Sequence, residues 1–526
     1  MDHIPEVAEW PNARVCKTRG LSPTLVRIQP SGPMTEPVKA RKQGSIIWKV
    51  LLVSVIVLGV FVRLRNFNLP PIDGHAMRQT DTESVAYNLA FKNNGILLPQ
   101  NSLIRPSTNS EAYFFLEFPM YQYIISLLYR LFGWHIELVR LLNLALFTGA
   151  AVSLFLFVRK LFKSESVAFF SSFFFTFAPG SIFFIGHAVH PDVFAVTLYI
   201  ISLAAFMQWK SKRTMWALVL SVLSLAVSVA TRPFILIGLP AYLFLLWMMK
   251  SAVWEYALYI CTSPAIYGIW KLWQFRFKTA DSSWENWVLG GREQLFVPDI
   301  LIKGLILKNI VGEVMGKVTS LFAGISILSL LVKRNKPLVF LLLWLAFVPL
   351  YWYVVPNGNV IHQYYANVYL LPVVILAGYG LSLIFDFTWS KQRIIALGIA
   401  IPVCMFVMYN GYRTSQYFFS NIIPDYQLQI AKEIDKVIPQ NARMIYLAVN
   451  NSIPFSLYHR TGWMLGYPPV DVDSKAASIL SLKKYGAQYI VAGKDNMDLP
   501  LEELAIIKSK TKLFYSSEWL QVYKYR

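Results

Sequence analysis

The sequence predicts a polytopic α-helical membrane protein with a long first external loop and a small C-terminal α/β domain. Of its 526 residues, 56% are hydrophobic and 15% are charged, whereas about a quarter of the residues in an average soluble domain are charged. The chain also contains 16 Trp, 28 Tyr and 36 Phe, and aromatic side chains concentrate at membrane interfaces. Together with a mean hydropathy of +0.46, these observations exclude a soluble multidomain enzyme.

The positive net charge fits the same architecture. Lysine and arginine number 49 against 29 acidic residues, which gives a net charge of +20. In a soluble protein this excess indicates nucleic acid, but in a membrane protein it marks cytoplasmic loops and contacts with anionic lipid. We therefore expect membrane lipid, and no nucleic acid, among the partners.

The N-terminal region contains a polar tail and the first membrane anchor. Residues 1–45 are polar and rich in basic residues, and they contain no apolar run, which predicts a disordered cytoplasmic tail. The first apolar run, 46–62, follows this basic flank and lacks a small-residue cleavage site. It is therefore predicted to remain as the first transmembrane helix, with its N-terminus in the cytoplasm.

Ten further apolar runs predict a transmembrane helix bundle over residues 139–409. Basic junctions, such as Arg159/Lys160/Lys163 and Lys391/Arg393, fall at every second gap between these runs. Because positive charge marks the cytoplasmic side, the alternation places the C-terminus and the loop 63–138 outside. The runs are 139–158, 165–186, 192–208, 215–230, 233–249, 253–270, 318–332, 337–355, 366–385 and 392–409.

The number of spans depends on one short segment. Residues 119–132 form an apolar piece of about 14 residues, which is too short for an ordinary span and is typical of an interfacial or re-entrant helix. With this segment outside the membrane the chain has about eleven spans, and the count changes by one if the segment crosses. The predicted range is about 11–13 transmembrane helices.

The region after the last span, 410–526, is predicted to be an external α/β domain. Helix-like segments at 428–437 and 474–485 precede strand-like segments at 443–449 and 488–492, and two aromatic strands follow near 512–515 and 520–523. The last of the three cysteines is Cys404, so this domain has no disulfide.

Polar residues of the first loop are the strongest candidates for a functional site. Asp73, His75, Arg78, Gln79 and Asp81 lie close together in this loop, and ionisable groups at the membrane boundary are commonly functional. The segment 84–91 after them is predicted to be an amphipathic surface helix, with residue 80 or 81 near its N-cap.

Further polar groups fall at predicted external ends of the spans. They are expected to converge with the first loop on one side of the membrane. These groups are Glu117 before Pro119, His187, His190 with Asp192, Arg232 before Pro233, and His362 with Tyr364 and Tyr365.

This constellation resembles the GT-C fold glycosyltransferases, in particular the bacterial family related to dolichyl-phosphate-mannose protein mannosyltransferases and to the aminoarabinose transferase of lipid A. The resemblance covers roughly residues 46–525. The sequence departs from that pattern in having Met77 where Trp is common and Glu117 where the aminoarabinose transferases have Lys. The motifs that carry the resemblance are His75-x-Met77-Arg78-Gln79-Thr80-Asp81-Thr82, Glu117-Phe118-Pro119-Met120-Tyr121, Pro191-Asp192, and His362-x-Tyr364-Tyr365 with Leu371-Pro372.

The resemblance implies an inverting glycosyltransferase that uses a polyprenyl-phosphate sugar donor. Such a reaction needs a carboxylate to deprotonate the acceptor hydroxyl and cationic groups to stabilise the departing phosphate. Asp81 is the first candidate for the base, Asp73 is the alternative, and Asp192 is the second carboxylate. The candidates for binding the donor phosphate are His75, Arg78, His362 and Arg232, and those for other substrate contacts are Gln79, Glu117, Tyr364 and Tyr365. The Phe-rich stretch 169–184 is one candidate wall for the polyprenyl tail.

Structural roles compete with several of these assignments. Asp81 and Asp192 each precede a predicted helix and are also candidates for helix caps. Arg232 suits a headgroup anchor, Glu117 suits an ion pair with Arg105 or Arg130, and the Phe-rich stretch suits helix packing.

The cofactor question stays open at this level. No cofactor is required, and a divalent metal at His187 and His190 is a weaker alternative to two interfacial histidines.

The predicted location is a plasma membrane, with a bacterial inner membrane as the best match and the C-terminal domain periplasmic. The acceptor is a lipid-linked glycan, an envelope polysaccharide or a protein, and the sequence does not choose among them. One alternative is a transporter or flippase of lipid-linked sugars, which predicts charged residues near the bilayer midplane. A second alternative is an enzyme like O-antigen ligase or polymerase, whose site is expected in a large late loop.

Overall fold

The architecture was derived from a computed structural model of the full-length chain. The chain divides into two compact units, Met1–Ile46 and Ile47–Arg526, and the description below concerns the second unit. The first 37 residues of the predicted cytoplasmic tail lie outside the described residues. The structure describes residues 38–92, 95–104, 112–277, 289–330, 335–447, 452–464, 475–493 and 501–526.

Helices dominate the described chain, as predicted. Short 3-10 segments lie at Pro233–Gly238, Arg292–Phe296, Gln363–Ala366 and Leu482–Tyr485, and a π-helical segment lies at Ile300–Glu313. The α-helices are α1 (Val38–Arg63), α2 (Ala76–Phe91), α3 (Met120–Phe132), α4 (Ile136–Phe162), α5 (Glu165–Phe177), α6 (Pro179–Phe184), α7 (Pro191–Lys212), α8 (Met215–Thr231), α9 (Leu239–Met248), α10 (Val253–Phe275), α11 (Lys317–Ser329), α12 (Lys336–Ala346), α13 (Val348–Val354), α14 (Pro356–Ile361), α15 (Asn367–Lys391), α16 (Arg393–Ser420), α17 (Asp425–Val437), α18 (Ile453–Ser456), α19 (Lys475–Ser481) and α20 (Leu501–Lys510).

Each predicted apolar run coincides with a helix or with a pair of helices that share one run. The run 165–186 is divided into α5 and α6, where Pro179 begins the second helix, and the run 337–355 is divided into α12 and α13. Proline lacks a backbone N–H and is favoured in the first turn of a helix, so it ends one helix and begins the next. Apolar composition alone does not reveal such breaks.

Six helices of the described chain are long and apolar enough to cross a membrane. A seventh is obtained if Leu305–Glu313 and Lys317–Ser329, which meet at 105°, form one bent span. Three shorter apolar helices accompany them, at Glu165–Phe177, Met215–Thr231 and Pro233–Met248. The six long helices lie at Ile46–Arg63, Ile136–Phe162, Pro191–Lys212, Lys336–Val354, Gln363–Lys391 and Arg393–Ser420.

The core of the bundle forms around α5 and α15, which pack against each other. Small residues permit this approach, since a β-carbon added at Gly378 of α15 would overlap Ser171 of α5. The aromatic rings of residues 169–184 are buried in this core. The prediction that this Phe-rich stretch lines a groove for the polyprenyl tail is therefore wrong, because its rings fill the spaces between helices.

Two helices, α2 and α3, occupy the predicted first external loop and pack against each other. The 13 residues of α3 bury Tyr121, Ile125 and Tyr129 on one face, and a helix of this length spans only about 20 Å. Helix α2 begins at Ala76, with His75 at its N-cap. The prediction that residue 80 or 81 caps a helix starting near residue 84 is wrong, because Asp81 lies in the second turn of α2.

The C-terminal region contains the predicted α/β domain. Its five-stranded sheet has the order β2-β1-β3-β5-β4, in which β1, β2 and β3 are parallel and β5 is antiparallel to β3 and β4. Four of the strands were predicted, whereas β2 was missed because its sequence Thr-Gly-Trp-Met is too short to show alternation. The strands are β1 (Arg443–Tyr446), β2 (Thr461–Met464), β3 (Ala487–Gly493), β4 (Thr511–Ser516) and β5 (Leu520–Tyr525).

The first loop and the C-terminal domain contact each other directly. Leu103 forms a parallel bridge with Gly462 at the β2 edge of the sheet, and α18 packs against α2. The Tyr87 ring of α2 stacks on His459 with ring centroids 3.5 Å apart. The domain therefore holds α2, which carries many of the candidate site residues, against the helix bundle.

Candidate active site

A buried network of ion pairs lies at one end of the bundle. The guanidinium of Arg78 contacts both carboxylate oxygens of Glu117, at 2.6 and 2.5 Å. Arg232 lies 3.5 Å from Glu117 and forms an ion pair with Asp192, and His190 contacts both Arg232 and Asp192. Burial alone raises the pKa of Glu117, but the charges of Arg78 and Arg232 hold it below its usual value. Five residues that are far apart in sequence thus form one continuous polar network.

A second buried cluster surrounds Asp73. Its carboxylate accepts hydrogen bonds from Gln79 at 2.7 Å and pairs with His187 at 2.8 Å. The Gln79 side chain also accepts a hydrogen bond from the backbone N–H of Val189. Although burial alone raises the pKa of Asp73, the charges of His187 and Arg140 and these hydrogen bonds keep it below its usual value. The cluster joins the start of α2 to the segment before α7.

The larger of two cavities at this end has a volume of about 500 Å³. Helix α2 and the residues before it provide one wall, the segment around residue 362 provides another, and the end of α16 with the residues after it provides a third. The polar lining residues are Asp73, His75, Arg78, Asp81, Lys308, His362, Gln363, Tyr364, Tyr417 and Asn421.

A smaller cavity of about 160 Å³ adjoins the first. Arg78, Leu116 and Tyr364 line both cavities and therefore form the boundary between them. The charged groups of the smaller cavity are three cations and one carboxylate, and its aromatic lining comes from α10 and the segments after α8 and α14. The charged lining residues are Arg78, Glu117, Arg232 and Lys271, and the aromatic ones are Phe234, Tyr267, Tyr364 and Tyr365.

Asp81 is the candidate base that lies at the larger cavity and outside both buried clusters. It is 8% exposed, and its Oδ1 accepts a hydrogen bond of 2.7 Å from Asn101. Asn101 is on the segment that pairs with the C-terminal domain, so the fold fixes the direction of the Asp81 carboxylate. A carboxylate held in this way at a cavity can orient a hydroxyl group and accept its proton.

The two cavity histidines are neutral at physiological pH. Burial, together with the charge of Lys308, lowers the pKa of His75 to about 4 despite the opposing effect of its hydrogen bond with Gln363. Burial also lowers the pKa of His362 to about 3, with the charges of His75, His190 and Arg78 acting in the same direction. These rings therefore serve as neutral hydrogen-bonding groups, and the cations at this cavity are Arg78 and Lys308.

The structure brings most of the predicted site residues to one end of the bundle, where some line the two cavities and others belong only to the two buried clusters. Asp73, His75, Arg78, Asp81, His362 and Tyr364 line the larger cavity, and Arg78, Glu117, Arg232, Tyr364 and Tyr365 line the smaller one. Asp192, His190, Gln79 and His187 line neither of these cavities in the described chain, and they belong to the two buried clusters.

Several structural alternatives from the sequence are wrong in detail. Glu117 pairs with Arg78 and Arg232, whereas Arg130 donates hydrogen bonds to backbone carbonyl groups of α2, and Arg105 lies outside the described residues. Arg232 is a buried member of the ion-pair network and is not a headgroup anchor. The N-cap of α7 is His190, and Asp192 in the first turn pairs with Arg232.

A shared metal site at His187 and His190 does not form, because the two rings belong to different clusters. His187 contacts Asp73, and His190 contacts Asp192 and Arg232. Within the described ranges, the structure contains no group of three or more His, Cys, Asp or Glu residues arranged to hold a metal ion.

The sequence prediction assigned no role to Lys308, Gln363, Tyr417 and Asn421 of the larger cavity, or to Glu313, which contacts Gln363. Lys308 comes from the π-helical segment, Gln363 lies between two residues that were predicted, and Glu313 contacts Gln363 at 2.7 Å. Lys308 had a recognisable signal, since it is a charged residue within an otherwise apolar stretch between the predicted runs 253–270 and 318–332. Nothing local distinguished Glu313, because its role depends on a contact with a residue 50 positions away.

The helix bundle and the α/β domain beside its polar end have the GT-C fold. The sequence matches no protein-family model and no curated protein, so the fold similarity comes from solved structures. ArnT from Cupriavidus metallidurans, bound to undecaprenyl phosphate, superposes with a TM-score of 0.62 at 11% identity, over 90% of this chain and 97% of that chain.

Two other GT-C proteins share the fold. The Archaeoglobus fulgidus oligosaccharyltransferase in its apo form has a TM-score of 0.53 at 12% identity, over 90% of this chain and 74% of that chain. The arabinofuranosyltransferase AftD from Mycobacteria has a TM-score of 0.51 at 12% identity, over 90% of this chain and 40% of that chain. The predicted resemblance to GT-C proteins is therefore confirmed at the level of the fold.

Proposed function

We propose that this protein is an inverting glycosyltransferase that moves a sugar from a polyprenyl-phosphate carrier to an acceptor at the outer face of a membrane. The observation that carries the proposal is the placement of Asp81 at a cavity of about 500 Å³, beside cationic groups and within the GT-C fold. The structural neighbour ArnT is bound to undecaprenyl phosphate, which supports a carrier of this chemical class for the present chain.

The two cavities are assigned to the two substrates by their charges. The smaller cavity has three cationic side chains and one carboxylate, and a phosphate group is stabilised by such an excess of positive charge. The larger cavity contains the carboxylates Asp73 and Asp81, which suit a hydroxyl group. We assign the donor phosphate to the smaller cavity and the acceptor to the larger one, with transfer at the boundary formed by Arg78 and Tyr364.

Asp81 acts as the general base in this proposal. The acceptor oxygen forms a bond to the sugar C1 while the bond between C1 and the phosphate oxygen breaks. The electron pair of the broken bond leaves with the phosphate. The acceptor hydroxyl proton moves to Asp81. Arg78 stabilises the charge that develops on the leaving phosphate, as preorganised cations do in other transferases.

Glu117, Arg232 and Asp192 act as positioning residues. They hold the Arg78 side chain through a chain of ion pairs, and Asn367 of α15 donates a hydrogen bond to Asp192 at 3.4 Å. Arg78 is therefore fixed before substrate binds, which avoids the cost of reorganising it during the reaction. The acceptor is a lipid-linked glycan, an envelope polysaccharide or a protein.

Reconstitution with defined carriers tests the function. The protein is placed in lipid vesicles with a panel of polyprenyl-phosphate sugars and with acceptors of the three proposed classes, and release of the free carrier phosphate is measured. Wild type is expected to consume one carrier, whereas Asp81→Asn at matched expression is expected to be nearly inactive. Asp386→Asn is the control, because Asp386 contacts Ser166, which is outside both cavities. Consumption of no carrier by wild type, or equal rates for wild type and Asp81→Asn, contradicts the proposal.

A further inference from the structure

A chain of hydrogen bonds extends from the π-helical segment to the larger cavity. Gln363 Nε2 donates to Glu313 Oε2 at 2.7 Å, and Gln363 Oε1 lies 2.7 Å from His75 Nε2. The three residues come from different elements, namely the π-helical segment, the 3-10 turn after α14, and the N-cap of α2. Among them, His75 and Gln363 line the larger cavity.

The chemistry of these groups fixes the direction of both hydrogen bonds. A carboxylate only accepts hydrogen bonds, so the NH2 group of Gln363 has to face Glu313. The amide oxygen of Gln363 then faces His75, and because this oxygen is also only an acceptor, His75 Nε2 has to carry a proton. In a neutral imidazole the second nitrogen, Nδ1, then carries the lone pair.

The backbone conformation of His75 and the surroundings of its Nδ1 atom are both unusual. His75 has φ 57° and ψ 39°, a left-handed conformation that is unfavourable for a non-glycine residue. Among the described residues, Nδ1 of His75 has no hydrogen-bond partner. It is also not among the side-chain nitrogen and oxygen atoms that are both fully buried and without a partner. Nδ1 is therefore reachable from the cavity that His75 lines.

We propose that Glu313, acting through Gln363, fixes His75 in the Nε2–H tautomer, so that His75 Nδ1 accepts a hydrogen bond from a substrate hydroxyl in the larger cavity. The inference rests on the proposed function only for the identity of that hydroxyl as part of the acceptor. It reverses the role expected for His75 from the sequence, since a bare ring nitrogen repels the oxygen atoms of a phosphate. Glu313 and Gln363 are positioning residues, and His75 is the residue that contacts the substrate.

Other titratable groups around His75 stay constant in the test described below. The His362 and Tyr364 rings lie 5.5 and 5.1 Å from the His75 ring, and the Phe184 and Phe418 rings lie 5.6 and 6.4 Å from it. Lys308, Arg78, Asp73 and Asp81 share the cavity. A change of tautomer on altering Glu313 alone therefore reports on the hydrogen-bonded chain.

Nitrogen NMR of the reconstituted protein, labelled on its histidine ring nitrogens, tests the tautomer directly. The His75 signals are assigned by their loss in His75→Asn. At pH 7 we expect a proton on Nε2 and none on Nδ1 in wild type. In Glu313→Gln the amide of residue 363 is free to turn, so a mixture of tautomers is expected. Glu293→Gln is the matched control, because Glu293 is exposed on the neighbouring 3-10 segment.

Exchanging the residue types at positions 313 and 363 is expected to restore the His75 tautomer. In the double variant Glu313→Gln with Gln363→Glu, the residue at 313 donates to the carboxylate at 363, which accepts from His75 Nε2. We expect this double variant to restore the Nε2–H tautomer that the single Glu313→Gln variant loses. A protonated Nδ1 in wild type, or an unchanged tautomer in Glu313→Gln, overturns the proposal.

The substrate contact is tested separately with undecaprenyl phosphate as the probe. His75 Nδ1 is expected to stay unprotonated when this probe binds, and protonation at Nδ1 would overturn the assignment to a hydroxyl. Where transfer activity is measured, Glu313→Gln is expected to lower kcat/KM roughly threefold to tenfold, as befits one hydrogen bond. The NMR result does not require activity, so failure of the proposed function and failure of this inference are distinguishable.

Discussion

The larger cavity and the adjacent ion-pair network contain the same residue types in different states. Asp81 lies at the cavity and receives a hydrogen bond from Asn101. Asp192 is surrounded by Arg232, His190 and Asn367 and lines neither of the described cavities. Of the two carboxylates, Asp81 therefore has access to a substrate in the larger cavity, whereas Asp192 is enclosed by its partners. We infer that the cavity performs the chemistry and that the network fixes its geometry.

The largest effect is expected from Asp81→Asn, which removes the proposed base and keeps the shape of the side chain. General base catalysis contributes about 10²–10⁴-fold, so kcat is expected to fall by that factor. The thermal unfolding midpoint is expected to stay close to that of wild type, because Asn retains the oxygen that accepts from Asn101.

Asp192→Asn provides the contrast with Asp81→Asn. It leaves Arg232 without its full counter-charge, so both the unfolding midpoint and kcat are expected to fall. The two variants are compared by initial-rate kinetics and by thermal unfolding at a fixed heating rate in the same detergent. Equal loss of stability in both variants would contradict the separation of roles.

Arg232→Met tests the network through stability. Removing one partner of a buried ion pair typically costs about 3–5 kcal/mol, because the remaining charges are left uncompensated. Glu117 and Asp192 both contact Arg232, so a clear fall in the unfolding midpoint is expected. Arg213→Met is the matched control, since the Arg213 side chain is 60% exposed. If both variants unfold at the same temperature, the network has no structural role.

Glu83 yields a prediction on pH at the contact between α2 and the C-terminal domain. Burial raises the pKa of Glu83 to about 8, and the side chain accepts a hydrogen bond from Trp134 and lies 3.9 Å from His459. The folded protein therefore binds a proton that the unfolded chain releases above its ordinary pKa of 4.5. This contribution to stability is complete below about pH 4.5 and is lost as the pH rises towards 8.

Glu83→Gln mimics the protonated form and removes that pH dependence. Between pH 5 and pH 8, we expect the free energy of unfolding of wild type to fall relative to the variant by an amount on the order of a few kcal/mol. The unfolding midpoint of wild type is expected to fall with it. The measurement is a series of thermal unfolding curves for both proteins across this pH range. Parallel curves for the two proteins would show that Glu83 is ionised in the folded state.

The fold was largely predictable because apolar runs and their basic junctions are properties of local sequence. The start of α2 was placed too late because the helix begins at Ala76, directly after His75 in a left-handed conformation, which no local pattern indicates. Strand β2 was missed because it is stabilised by pairing with β1 and by the contact between Gly462 and Leu103. Such tertiary contacts override the weak propensity of a four-residue segment.

The residues of the site were predictable as a set, but their separate roles were not. Span ends on one side of a membrane indicate which polar groups converge, and this reasoning found Arg78, Glu117, Asp192 and Arg232. It did not find that these four residues form ion pairs with one another, because ion pairing depends on distances across helices. It also did not find the contact between Gln363 and Glu313 that sets the chemistry of His75.

The smallest effect is expected at the ion pair between Arg159, near the C-terminal end of α4, and Glu165, the first residue of α5. Arg159 and Glu165 are 3.5 Å apart, and their side chains are 30% and 28% exposed. Solvent screens such a pair, and its contribution to stability is usually about 0–1 kcal/mol. Glu165→Gln is therefore expected to shift the unfolding midpoint far less than Arg232→Met does, by no more than the experimental error of the midpoint. A large loss of stability in Glu165→Gln would show that burial does not explain the difference between the network and other ion pairs of this protein.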